Sequence, residues 1–209
     1  MVPVRVRIRF CKQGDLRYLG HRDLVRCFER WFRRSGLPLK MSEGFHPKPR
    51  MNFPAALAVG IEGLDEVMEL ELAQPWSAEQ VLHSLQPHCP PGLGLNHVAL
   101  LPPGAKKARV RSFRYQVPVP PRHWPGLPAR LDRWRQGAPW LIQRPHRTQE
   151  LDLCAMLEEL SLDEGLLQMR LRGDGPVSAG PRDVLTALGL AEVEQEGVCL
   201  SRTAVELLP

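Results

Sequence analysis

The chain predicts an α+β fold of two tandem ferredoxin-like units, each a βαββαβ run with an antiparallel sheet. Three observations carry that expectation. Segments of strict period-2 alternation open each half. Helical stretches with start and stop signals lie between them. A proline-led, basic, apolar-poor stretch, Pro102-Pro103-Gly104-Ala105-Lys106-Lys107, separates the halves. The expected domains are therefore 1–101 and 113–209, joined by a linker over 102–112. A chain of 209 residues, 43% hydrophobic and 24% charged, is long enough for both to bury a core.

In the first half, Val4, Val6, Ile8 and Phe10 alternate with Arg5, Arg7 and Arg9, the pattern of a half-buried strand. Asp15 to Gly20 reads as a turn with a short extended piece. A helix follows from Gly20 or His21 to about Ser35, closed by Gly36 with Pro38 just beyond. At 100° per residue, Leu24, Val25, Phe28, Trp31 and Phe32 share one face of this helix. Arg22, Arg26, Arg30, Arg33 and Arg34 share the other.

Ser42 to Pro54 comes next. Pro47, Pro49 and Pro54 exclude a helix and disfavour a central strand, so an extended, exposed loop is expected. Ala55 to Gly60 reads as a short strand and Glu66 to Leu72 as an alternating one. Ser77 and Gln80 form a capping box for a helix to about Gln86, and Leu93 to Leu101 is a strand.

In the second half, Phe113 to Val119 alternates. A helix spans about Leu127 to Gln136, and Trp140 to Arg144 is a short strand. Gln149 to Leu162 is read as extended, although its leucines allow either period. Leu166 to Arg172 alternates cleanly, Pro181 to Leu188 is a helix ended by Gly189, and Val198 to Val205 is a last strand.

Charge is unevenly placed. Residues 1–60 hold 13 Lys and Arg against 4 Asp and Glu, a balance of +9 within a net charge of +5; the remaining residues hold 15 against 19. A basic first third points to a polyanionic partner. The candidate contacts are the helix arginines Arg22, Arg26, Arg30, Arg33 and Arg34, with Lys48 and Arg50 of the loop. Phe45 and His46 stand beside them. Arg5, Arg7 and Arg9 are set apart, because Glu69 and Glu71 on the neighbouring strand can pair with them across the sheet.

The five cysteines are odd in number and scattered without CxxC spacing, as expected of reduced thiols in a cytoplasmic protein. The N-terminus lacks an apolar secretory region, and no apolar run approaches the roughly 18–20 residues that span a bilayer. None of the seven histidines makes a zinc-binding pattern, and no phosphate-cradling glycine loop or nucleophile elbow occurs. No cofactor or metal is expected. His21 and His46 are the weak catalytic candidates. His21 stands at a helix start, where the dipole favours the neutral imidazole of a general base.

Three stretches together are specific: Asp15-Leu16-Arg17-Tyr18-Leu19-Gly20-His21-Arg22-Asp23-Leu24, Met41-Ser42-Glu43-Gly44-Phe45-His46-Pro47-Lys48-Pro49-Arg50-Met51-Asn52-Phe53, and Gln149-Glu150-Leu151-Asp152-Leu153. With Val59-Gly60-Ile61-Glu62 they resemble the DUF2344 family, also called radical SAM-linked proteins. The resemblance spans nearly the whole chain. It implies association with a radical SAM enzyme, since members occur fused to, or separately beside, a radical SAM protein with a cobalamin-binding-like region. This chain has no CxxxCxxC for a [4Fe–4S] cluster, which implies the separate partner. The family supplies no catalytic residues to carry over. The expectation is a non-catalytic accessory protein that binds RNA or a ribonucleoprotein substrate. The alternatives are an RNA-processing or RNA-modifying enzyme using His21 or His46, and a protein-docking module without nucleic acid.

Overall fold

The computed structural model describes residues 4–144, 150–175 and 179–209. Gln149 of the third motif, His146 and the segment 176–178 lie outside the described residues. The chain divides into two compact units, Met1–Arg109 and Val110–Pro209. Both are mixed α+β with antiparallel strand pairing.

The first unit runs β1 (Val4–Lys12), α1 (His21–Arg34), β2 (Met51–Asn52), β3 (Glu62–Leu72), α2 (Ala78–Leu85) and β4 (Leu93–Leu101). β1 lies between β3 and β4, with Val6 opposite Leu70 on one side and Leu100 on the other. β2 pairs with β3, Met51 opposite Leu70. The alternation in β1 works as expected: Val6, Ile8 and Phe10 are buried. Leu24, Phe28, Trp31 and Phe32 of α1 pack in the same core as Val81 and Leu85 of α2. The Phe10 and Phe28 rings meet edge-on at 4.8 Å, and Trp31 Nε1 donates to the Leu85 carbonyl at 3.0 Å. The expected capping box forms, Ser77 Oγ accepting from the Gln80 N–H at 3.1 Å and Gln80 Oε1 from the Ser77 N–H at 2.8 Å. Gly36, at φ +67°, ends α1 in a backbone conformation that side chains resist.

Two local expectations fail here. Gly14–Tyr18 is a 3₁₀ turn rather than an extended piece. Ala55 to Gly60 forms no strand; the strand is Met51–Asn52, inside the stretch read as loop. Between Pro49 and Pro54, residues 50–52 keep their N–H groups, and β3 supplies the partner backbone.

The second unit runs β5 (Val110–Pro118), α3 (Leu127–Arg135), β6 (Leu141–Ile142), β7 (Leu151–Asp152), β8 (Leu157–Asp163), β9 (Leu166–Arg172), α4 (Pro181–Ala187) and β10 (Ser201–Leu207). Its sheet is ordered β10-β5-β9-β8. Val117, Leu127, Leu167, Leu171, Val184 and Leu185 are among its buried side chains. The strand expected at Trp140 to Arg144 is only Leu141–Ile142, and it pairs with β7 in a separate two-stranded ribbon. The place beside β9 belongs instead to β8. Leu153–Ala155 interrupts the leucine-rich run as a 3₁₀ turn, where Asp152 Oδ1 accepts from the Cys154 N–H at 3.0 Å.

Candidate nucleic-acid interface

Helix α1 forms because its apolar side chains recur at helical spacing and must be covered by the sheet. That same period turns Arg22, Arg26, Arg30, Arg33 and Arg34 to solvent, and all of them are exposed. Arg26 pairs with Asp23 across one turn at 3.4 Å, both side chains more than half exposed. Among the described residues, Arg22, Arg30, Arg33 and Arg34 have no carboxylate within ion-pair reach. Arg33 and Arg34 stand in the last turn, where the helix dipole also favours cations.

The arginines of β1 are treated differently. Glu69, only 3% exposed, accepts from Arg5 at 2.6 Å and from Arg7 at 2.8 and 3.1 Å. Arg9 pairs with Asp65. The cross-strand pairing expected of Glu69 is thus present. Glu71 is diverted: it sits 3.7 Å from both Lys40 and Arg50. Glu69 also accepts the Ala108 N–H at 3.3 Å, while Arg5 donates to the Ala105 carbonyl. Each β1 arginine is thus held to a carboxylate, Arg5 and Arg7 sharing the buried Glu69, so none of the three guanidinium groups is left without an acid partner.

The proline stretch is a finger rather than a featureless loop. Lys40 N–H donates to the Glu71 carbonyl at 2.9 Å and Glu71 N–H to the Arg50 carbonyl at 3.1 Å, which tie both legs to β3. Arg50 N–H donates to the Lys40 carbonyl at 2.9 Å, and Ser42 N–H to the Lys48 carbonyl at 2.8 Å. Lys48 N–H returns to Ser42 Oγ at 3.0 Å. Gly44 turns the tip at φ +119°. Phe45, His46 and Lys48 are exposed, Phe45 completely. Arg50 is partly committed, to Glu71 at 3.7 Å and to Glu43 at 3.9 Å. Beyond the finger, Phe53 returns to the core side and meets the rings of Phe10, Phe28 and His21 at 6.2, 5.3 and 5.5 Å.

A cleft of about 220 Å³ lies at the finger's base, with Arg5, Arg50 and Lys107 facing Glu69 and Glu71. Its charges are mixed, and Glu71 Oε2 is enclosed there without a hydrogen-bond partner among the described residues. The two histidines do not make a centre. His21 packs edge-on against Phe53, and His46 sits on the finger tip. Among the described residues neither imidazole is hydrogen-bonded to a carboxylate, and no group of three His, Cys, Asp or Glu side chains is arranged to hold a metal ion.

In the second unit many arginines are paired. Burial pushes the Glu206 carboxyl up, but hydrogen bonds from Ser112, Arg114 and Arg170 outweigh it and bring the pKa to about 2. Ser112 Oγ donates at 2.5 Å and Arg114 Nε at 2.6 Å, and Arg170 pairs with Glu158, Glu159 and Glu206. Arg144 and Arg182 form further pairs with Asp183 and Glu194. Sequence reasoning missed Lys40, whose distance from Glu71 along the chain hid their pairing. Phe45 and Phe53 belong to one sequence stretch, but Phe45 is an exposed ring and Phe53 a packed one.

No curated protein matches the chain. A solved structure, an unknown protein from Galdieria sulphuraria, aligns over 99% of each chain at 15% identity with a TM-score of 0.29, too weak a likeness to argue from. A family model described as an uncharacterized protein conserved in bacteria matches residues 5–180, and the chain therefore belongs to the DUF2344 family.

Proposed function

We propose that this is a non-catalytic accessory protein that binds RNA, alone or in a ribonucleoprotein, and presents it to a separately encoded radical SAM enzyme. The observation that carries the RNA reading is the unequal treatment of the arginines. Those of β1 are all ion-paired, Arg5 and Arg7 sharing Glu69 and Arg9 held by Asp65, whereas Arg22, Arg30, Arg33 and Arg34 have no acid partner among the described residues. Unpaired guanidinium groups on a rigid helix suit phosphate oxygens, which they can hold in bidentate fashion. Lys48 of the finger adds a further cation. The radical SAM partner rests on the family resemblance of the motifs, and placement in the cytoplasm on the five scattered cysteines, read as reduced thiols.

Both units are read here as ferredoxin-like. In the first, the pairings give β4-β1-β3-β2. In the second, β10-β5-β9-β8 is the corresponding order once the β6–β7 ribbon is set aside as an insertion. The helices fall between strands as a βαββαβ run requires.

The test is a pull-down in which RNA and protein are both identified, followed by a salt series on the captured RNA. If the five helix arginines each neutralise a phosphate of a single strand, log affinity should fall against log salt with a slope of about −3.5. Replacing Arg22, Arg26 and Arg30 together by Glu should abolish retention while leaving the circular dichroism unchanged, since all three are exposed. No retention by the wild type at low salt, or an affinity indifferent to salt, would overturn the proposal.

A further inference from the structure

Phe45 is a fully exposed ring on a backbone that is held in place. Pro47 and Pro49 fix φ in one leg of the finger, and the Ser42–Lys48 and Lys40–Arg50 hydrogen bonds join that leg to the other. A single exposed apolar side chain is ordinary on a flexible surface. A ring on a braced tip is different, because engaging it orders little that is not already ordered. Phe53, eight positions on, shows what the core does with a phenylalanine it can use: that ring lies against Phe10 and Phe28. Phe45 is left with its faces open to solvent, next to exposed His46 and three residues from exposed Lys48. Glu43, the nearest acid in the finger, leans 3.9 Å from Arg50.

An aromatic face beside a cation matches one feature of RNA that a duplex does not offer. In a helix the base faces are covered by their neighbours, and the deep, narrow major groove of A-form RNA closes to side chains. Unpaired bases splay out and stack on aromatic rings while cations hold the flanking phosphates. We infer that Phe45 is a stacking platform for an unpaired base, so that the RNA bound here is single-stranded, with Lys48 and His46 toward the adjoining phosphates. The inference rests on the RNA reading above and narrows it to a substrate class.

Fluorescence anisotropy with the full-length protein tests it, using labelled oligouridylate and an RNA duplex of equal length. Phe45→Ala should weaken oligouridylate binding about tenfold, leave duplex affinity unchanged and keep the salt slope, because no charge is removed. Phe45→Trp should retain affinity. Phe45→Leu, apolar but without a π-face, should not. The side chain is fully exposed, so none of these variants disturbs packing. Oligouridylate binding by Phe45→Ala within about twofold of wild type, or full affinity in Phe45→Leu, overturns the stacking role. If the Arg22/Arg26/Arg30→Glu variant still loses RNA in that case, the RNA reading stands without it. Absence of binding to either RNA by the wild type removes both. A Phe45→Ala protein that keeps its RNA but loses a co-purifying protein makes the ring a protein anchor and also overturns the inference.

Discussion

Glu206 shows how much one carboxylate can organise when several donors converge on it. Ser112, Arg114 and Arg170 all reach it, and together they lower its pKa from the ordinary 4.5 to about 2 despite the opposing effect of burial. A carboxyl with a depressed folded pKa stabilises fully above its unfolded value, and that contribution is lost as pH falls toward the folded value. The protein should therefore lose stability between about pH 4.5 and pH 2, apart from other acid effects. Glu206→Gln should be less stable than wild type at neutral pH by about 2 kcal/mol, the scale of charged hydrogen bonds removed. Its stability should also vary less across that acid window. Urea melts at neutral and acid pH read both; parallel curves for the two proteins would refute the assignment. Arg114 and Arg170 move the opposite way, their pKa values raised first by hydrogen bonds to Glu206 and Glu159 respectively. None of this convergence is visible in sequence, because Ser112, Arg170 and Glu206 are brought together only by the pairing of three strands.

At the level of elements, α1 has two jobs divided by its period. One face carries Phe28 and Trp31 into the core, and the other carries arginines outward. Trp31 additionally joins α1 to the end of α2 through the Leu85 carbonyl. Trp31→Phe keeps most of the ring volume but strands that carbonyl, at about 1–2 kcal/mol. Trp31→Ala adds a cavity and should cost about 3–5 kcal/mol. Chemical denaturation would separate the two; a Trp31→Phe protein as stable as wild type would mean the hydrogen bond contributes nothing, and equal losses would mean the ring's packing adds nothing beyond it. This division of α1 was legible from the chain because amphipathic spacing is a local signal, as were the alternation of β1 and the Ser77–Gln80 cap. The finger was only half legible. Its prolines ruled out a helix, yet the ladder from Lys40, Arg50 and Met51 to β3 depends on a strand about twenty residues further on. β8 was obscured for another reason: its leucines fit both periods, and the Asp152 cap that breaks the run is a side-chain hydrogen bond.

For the molecule as a whole, charge counts alone misstate where positive potential remains. The balance of +9 in residues 1–60 includes Arg5, Arg7 and Arg9, which the fold pairs with Glu69 and Asp65, and the arginines of α1, which it leaves exposed. The sequence anticipated Glu69 in this role, but not that Lys40 and Arg50 would occupy Glu71 instead. The same Glu69 reaches beyond the sheet. With Arg5 it grips the backbone at Ala105 and Ala108, so the stretch leading out of the first unit is fastened to β1 and β3 at two points. Lys106, Lys107 and Arg109 are exposed along it and look like ready tryptic sites. Proteases, however, need several residues of slack chain to fill their cleft, and this hasp denies it. Limited trypsin digestion should spare the Lys106 to Arg109 stretch in the native protein and sever it quickly in Glu69→Ala, releasing the halves as separate bands.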